Sequence, residues 1–130
     1  MRMAKEEVDI KMEIPGAVIR QRTDFGDATG LGKISGEYFS LSAGVDTTPL
    51  FQGLEGNLCQ CPHWGYVVRG KVTFRYAEHD EVYESGDAYY APPGHVPFIS
   101  ADTEIVEFSP TGDYEQTMEV VGRNLAALAK

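Results

Sequence analysis

The run 71–84 constrains this chain most. Val72, Phe74 and Tyr76 alternate with Lys71, Thr73 and Arg75, the period of a half-buried strand. The polar turn Ala77-Glu78-His79-Asp80 follows, and residues 81–84 return as the partner strand. Gly86-Asp87 turns the chain again, residues 88–91 read as another strand, and Pro92-Pro93-Gly94 ends it. The runs 96–100 and 104–109 form one more expected hairpin around Asp102-Thr103. Upstream, Val8, Ile10, Met12 and Ile14 alternate with Asp9, Lys11 and Glu13; Pro15-Gly16 punctuates, and 17–21 reads as a short strand. The Gly- and Asp-rich run 23–33 reads as a loop, and residues 38–41 as a strand. The run 46–56 is irregular, with Leu50, Phe51 and Leu54 packing down on other elements. Short strands at close spacing with repeated turn signals define an all-β sandwich or barrel.

The end of the chain follows a different period. Asp113 with Gln116 three residues on forms a capping-box pattern. Tyr114, Met118, Val121, Leu125 and Leu128 then recur at spacings of four and three, one apolar face of a helix over 113–129. Gly122 inside it costs about 1 kcal/mol against alanine, and a close backbone approach there is the expected reason. The helix is expected on the outside of the barrel or in a dimer contact.

With 130 residues the chain fits a single domain, a barrel over about 8–110 followed by the helix. It is long enough to bury a core without disulfides. A formal charge of −9, from 20 acidic and 11 basic residues, argues against a nucleic-acid partner, which needs a basic face. It argues equally against docking on an anionic membrane. No apolar run approaches the ~20 residues of a membrane span, and residues 1–11 carry no signal-peptide core. The expected location is the cytoplasm, where two cysteines stay reduced.

Chemistry concentrates in Cys59-Gln60-Cys61-Pro62-His63-Trp64-Gly65. In an extended segment Cys59, Cys61 and His63 share a face, at about 6.5–7 Å per step, and a kink at Pro62 helps them converge. Two thiolates and an imidazole suit Zn²⁺ best, and Fe²⁺ or Ni²⁺ less specifically. His95, after the Pro-Pro-Gly turn, is the candidate fourth ligand. Taken singly, each cysteine is more simply a small buried hydrophobe, and His79 is a solvated turn residue. Trp64 and Tyr66 have the opposite parity from His63 and point outward, toward an interface. Of Tyr89 and Tyr90, one lines the interior.

These two segments resemble a cupin, of the small single-domain, RmlC-like jelly-roll type. The second cupin motif is Gly, five residues, Pro, one residue, Gly, two residues, His. Gly86, Pro92 and Gly94 match its frame, while Pro97 stands at the histidine position and His95 falls two residues earlier. The first motif is His, one residue, His, three or four residues, Glu, six residues, Gly. Counting back from Gly70 puts His63 at the glutamate, Cys59 at the second histidine and Asn57 at the first. A second alignment puts Cys59 and Cys61 at the two histidines and drops two residues before His63. The resemblance spans roughly 38–110 and implies an antiparallel barrel of roughly six to eight strands, a metal in its mouth, and frequent homodimers. The chain is also similar in layout to small bacterial cupin-like proteins sharing the Cys-x-Cys-Pro-His-Trp-Gly signature, a likeness that implies no settled activity.

The expected function is a metal-binding cupin, an enzyme acting on a small polar molecule in the barrel mouth, with Cys59, Cys61, His63 and His95 as ligands. The alternative is a non-catalytic module whose metal is structural, or which binds a small ligand or a protein. An oxygenase needs a carboxylate ligand, for which Asp87 and Glu55 are the candidates. A thiol redox role ranks last, because no cation lowers a thiol pKa here.

Overall fold

The 71–84 alternation becomes a hairpin. β6 (Lys71–Tyr76) and β7 (Asp80–Glu84) pair antiparallel, with Val72 opposite Tyr83. Val72, Phe74 and Tyr83 are buried, as their parity requires. The computed structural model describes residues 1–28, 30 and 32–128. Two positions of the expected 23–33 loop, and the last residue of the expected helix, lie outside these.

Among the described residues, ten strands make two antiparallel sheets. The larger contains β1 (Ile10–Ile14), β2 (Ala17–Arg22), β4 (Gly32–Leu41), β10 (Thr103–Pro110), β5 (His63–Arg69) and β8 (Ala88–Ala91), in that spatial order. The two-residue β3 (Asp27–Ala28) pairs with the start of β4, so part of the run expected as loop is a small ladder. The smaller sheet has the order β7-β6-β9, with β9 at His95–Ile99. Antiparallel sheets with one face packed inward account for the strand-by-strand alternation.

The hairpin expected over 96–109 does not form. β9 and β10 are not a hairpin: β9 pairs with β6, while β10 lies between β4 and β5 in the other sheet. The turn between them carries the chain across the sandwich, so that Ile99 and Ile105 both reach the core. Two turn residues between apolar runs look the same whether the flanking strands pair or part.

Among the described residues the core falls into two clusters. Val67, Val72, Phe74, Tyr83, Tyr89, Ala91, Ile99 and Ile105 fill the space between the sheets. Leu50, Phe51, Cys59, Cys61, Tyr114 and Val121 form the second, and Phe39 packs against both. Each large side chain so buried contributes about 1.5–3 kcal/mol. Gly70 makes the β5–β6 turn at φ +96°, with its α-carbon against the Asp102 carbonyl and Thr103. A side chain there is excluded by both conformation and space.

α1 (Thr111–Leu128) starts two residues before the expected cap, so Asp113 lies in its first turn, where an acid complements the helix dipole. Tyr114 and Val121 are buried and Met118 and Leu125 partly so, whereas Leu128 is exposed. The helix packs on the 3₁₀ turn Thr48–Phe51, to which Asn124 donates hydrogen bonds at the Leu50 and Gln52 carbonyls, both at 2.8 Å. Tyr114, Thr117, Met118 and Val121 line an internal cavity, so the helix walls the interior instead of lying on the outer face of a sheet. Gly122 has open space where a side chain would go, so no close approach explains it. Among the described residues no helix is long and apolar enough to cross a membrane.

Candidate metal centre

The two sequence signals meet through the backbone. Cys59 precedes β5 and forms an isolated antiparallel bridge with His95, the first residue of β9. The Cys59 N–H donates to the His95 carbonyl at 2.8 Å, and the Gly94 N–H to the Cys59 carbonyl at 2.8 Å. The Pro92-Pro93-Gly94 turn thereby lays His95 against Cys59. Four residues on, β5 opens with His63 on the inward face, with Trp64 turned out.

Cys59, His63 and His95 present ligand atoms that all lie within 4.8 Å of one another, and all three are buried. The Cys59 Sγ is 3.8 Å from His63 Nε2, and the two imidazole centroids are 5.1 Å apart. Of the four residues singled out in the sequence, Cys61 stands outside this group. It is fully buried, its Sγ 3.4 Å from the Pro62 carbonyl, packed in the second apolar cluster. The chain is not in a strand at Cys61 and Pro62, so the pleat that would aim three side chains at one point is missing. Asn57 is exposed, at φ +59°, and its side chain accepts from the Gly53 N–H. Pro97 lines the cavity without offering a donor atom.

Each imidazole has one nitrogen committed. His95 Nδ1–H donates to the Pro92 carbonyl at 2.7 Å. His63 Nδ1–H donates to Ser109 Oγ at 2.7 Å, and Ser109 Oγ–H donates onward to Glu37 Oε1 at 2.6 Å. Both rings therefore keep the Nε2 lone pair, the tautomer a metal ligand needs. Burial pulls His63 down to about 3. Burial, helped by the neighbouring His63, pulls His95 to about 4. Both are neutral at pH 7. Burial pushes the Cys59 thiol up to about 12, and takes Cys61 well above the ordinary thiol range, with Cys59 adding to it.

Two carboxyl groups stand behind His63, and the sequence reading missed both. Glu107 is inward on β10, its Oε1 3.5 Å from His63 Nδ1. With the ring neutral, that contact is dipolar and not an ion pair. Tyr89 donates its hydroxyl to Glu107 Oε2. Glu37 on β4 is wholly buried, and its Oε2 has no partner. Burial raises Glu107 to about 7. Burial also raises Glu37 well above the carboxylate range, with the Ser109 hydrogen bond opposing and the Glu107 charge reinforcing. Glu37, Glu107 and His63 form a second mutually close donor group sharing the imidazole. The carboxylates anticipated for such a role are elsewhere: Glu55 and Asp87 are exposed, and Asp87 accepts from the Glu84 N–H in a turn.

Cys59, His63, His95 and Glu107 all line the cavity, which has a volume of about 100 Å³. Most of the remaining wall is aliphatic or aromatic, from β1, β2, β4, β6, β9, β10 and α1. Two imidazoles of fixed tautomer, one thiol and an adjoining carboxyl fit a divalent transition ion, and a buried carboxyl oxygen without a partner fits a neighbouring positive charge.

No protein-family model matches the chain, and no curated protein matches it. Solved structures do. KdgF from Halomonas sp. matches over 82% of this chain and 90% of its own, at 17% identity and a TM-score of 0.52. An RmlC-like cupin from Shewanella frigidimarina matches over 83% and 88%, at 14% identity and a TM-score of 0.54. A variant of the oxalate decarboxylase OxdC of Bacillus subtilis matches over 83% of this chain, which spans 28% of that enzyme, at 15% identity and a TM-score of 0.57. The chain has the cupin jelly-roll fold, closed on one side by a C-terminal helix.

Proposed function

We propose that this protein binds a divalent transition ion, Zn²⁺ in preference to Fe²⁺ or Ni²⁺, through Cys59 Sγ and the Nε2 atoms of His63 and His95, and acts there on a small molecule held in the cavity. The observation that carries the reading is the convergence of these three buried donors on the cavity wall, with both imidazoles held in the ligand tautomer. Two imidazoles and a thiolate are borderline-soft donors that favour zinc over magnesium or calcium. Three protein donors leave a position for substrate, the pattern of catalytic rather than structural zinc.

An ion so bound supplies Lewis acidity and lowers the pKa of a water it carries. The protein's own groups do the rest. Ser109 and Pro92 fix the two rings. Tyr89 orients Glu107 beside His63, where its carboxyl can hold or release a proton at Oε1. The apolar wall excludes water and orients the ligand by shape. The expectation of a small polar substrate thereby narrows to a molecule with one polar group. A dianion such as oxalate, the substrate named for one structural relative, finds no lysine or arginine among the described lining residues.

One observation favours the non-catalytic alternative. Glu107 shares the wall with the three donors, and as a fourth ligand it would close the set. Elemental analysis of protein purified without metal-affinity resin is expected to find about one zinc per chain, abolished by His63→Ala. Cobalt substitution then decides between the readings: a spectrum that changes on adding a small exogenous donor supports catalysis, and an inert one supports a structural ion. Metal-free protein that takes up no ion on titration ends both. Two free thiols suit a reducing cytoplasm. A second copy of the chain is the proposed partner, through the outward Trp64, Tyr66, Val68 and Tyr90, which sedimentation tests. The Cys-x-Cys-Pro-His-Trp-Gly signature is consistent with a type in which Cys59 and His63 ligate while Cys61 packs.

A further inference from the structure

The cavity says more about its occupant than the donors do. Its candidate donor atoms are gathered at one corner, and Thr47 and Tyr114 add two hydroxyl-bearing side chains to the lining. Cys59, His63 and His95 form one cluster, Glu107 adjoins His63, and Thr117 lines the same space. Ile19, Leu41, Ile99, Ile105, Met118 and Val121 contribute only carbon and sulfur to the rest. No charged side chain other than Glu107 lines the space among the described residues, and Glu37 stands directly behind it. In the metal-free protein an anionic ligand would bring a third acid to this corner with no lysine or arginine to meet it, and burying an uncompensated charge is strongly unfavourable. A ligand bearing several hydroxyls would leave most of them facing hydrocarbon.

We infer that the cavity takes a short, uncharged aliphatic molecule with a single oxygen, an alcohol or carbonyl compound, its oxygen at the Cys59–His63–His95 cluster and its carbon skeleton against Val121 and Ile105. A cavity of about 100 Å³ is smaller than the ~150 Å³ that accommodates benzene in an apolar core. The skeleton is therefore about three to five non-hydrogen atoms. The assignment of the oxygen to the cluster rests on the proposed metal reading; the size selectivity does not, and the charge selectivity is that of the zinc-free protein.

The test uses the intact chain, zinc-loaded and zinc-free, with isobutanol, isobutyrate and glycerol as probes, followed by ligand-observed NMR. Isobutanol is expected to bind the zinc-free protein saturably, and at least about tenfold more tightly than isobutyrate, which shares its skeleton but carries a charge. Glycerol is expected not to saturate. Val121→Phe fills the space and is expected to abolish isobutanol binding. Val121→Ala enlarges it and is expected to shift the preference toward 3-methylbutanol, so a failure of the larger substitution to fold leaves a working arm. Isobutyrate binding the zinc-free protein as tightly as isobutanol, or preferences indifferent to both Val121 variants, overturns the inference. Xenon uptake by the zinc-free protein, read by ¹²⁹Xe NMR, separates the two readings. If zinc does not bind but xenon and isobutanol still enter, and leave on Val121→Phe, the ion reading falls while the cavity assignment stands. If zinc binds and neither probe enters, the cavity assignment falls alone.

Discussion

Glu107→Gln in the metal-free protein should stabilise the fold at neutral pH and weaken its grip on metal. The Glu107 carboxyl is inside the sandwich, beside a neutral His63 and below a Tyr89 hydroxyl. Burial lifts it from the ordinary 4.5 to about 7. The folded state therefore holds this proton more tightly than the unfolded chain does. The stability tied to the group is fully present below pH 4.5 and is lost as pH rises through about 7. At ~1.4 kcal/mol for each tenfold difference in proton affinity, that loss is about 3 kcal/mol. Glutamine has nearly the same shape, keeps an oxygen to accept from Tyr89, and never ionises. Urea unfolding of both proteins at pH 4.5, 6 and 8 is expected to give near-equal stabilities at the first. The variant should lead by about 3 kcal/mol at the last. His63, shifted by burial alone, titrates alike in both proteins, while His95 loses in the variant only the minor upward pull of Glu107. A lead that does not grow with pH, or a variant weaker at pH 8, refutes the argument. Zinc affinity should move the other way, falling by about 10- to 100-fold, as for a group supporting a metal ligand. A gain in stability bought with a loss of binding marks a residue kept for function.

Three further outcomes follow from the same coordinates. Cys59→Ser is expected to lower zinc affinity by roughly a hundredfold or more, whereas Cys61→Ala should leave it within about threefold and act only on packing; competition with a chromophoric chelator measures both. Gly122→Ala, with open space at an exposed helical site, should raise stability by about 0.5–1 kcal/mol in thermal or urea unfolding. Gly65→Ala places a methyl group into the Tyr89 ring packed across it on β8. It should cost about 1–3 kcal/mol and shift the Tyr89 hydroxyl from Glu107, which NMR of the tyrosine ring would register.

Parity carried the sequence reading where a strand was continuous and one-sided. Val72, Phe74 and Tyr83 face inward, and Tyr89 is buried while Tyr90 is exposed. Trp64 and Tyr66 turn outward because His63 turns in. The same logic misled at Cys61, where Pro62 interrupts the pleat it assumes. It was silent on Glu107, because β10 is apolar on both faces: Val106 and Phe108 alternate with Ile105 as convincingly as any inward set. Only the company of Ser109, buried and bonded to Glu37, distinguishes the two faces, and that is a contact across 72 residues. Glu37 was hidden for another reason. The apolar signal of β4 begins at Tyr38, while pairing with β10 extends the strand back to Ile34 and pairing with β3 carries it to Gly32. The capping box expected at Asp113 misplaced the start of the helix by two residues: Thr111 already opens it, and Asp113 lies inside its first turn.

His63 and Trp64 are consecutive, and β5 sends them to opposite sides of the sheet. The only indole in the chain thus sits one peptide bond from a proposed ligand, stacked on Tyr90 at 5.2 Å and 42% exposed to solvent. Any event inside that tugs on the first residue of β5 is felt by a fluorophore no occupant of the cavity can touch. Its emission, and its accessibility to a dissolved quencher, report on the interior from the outside, without a label.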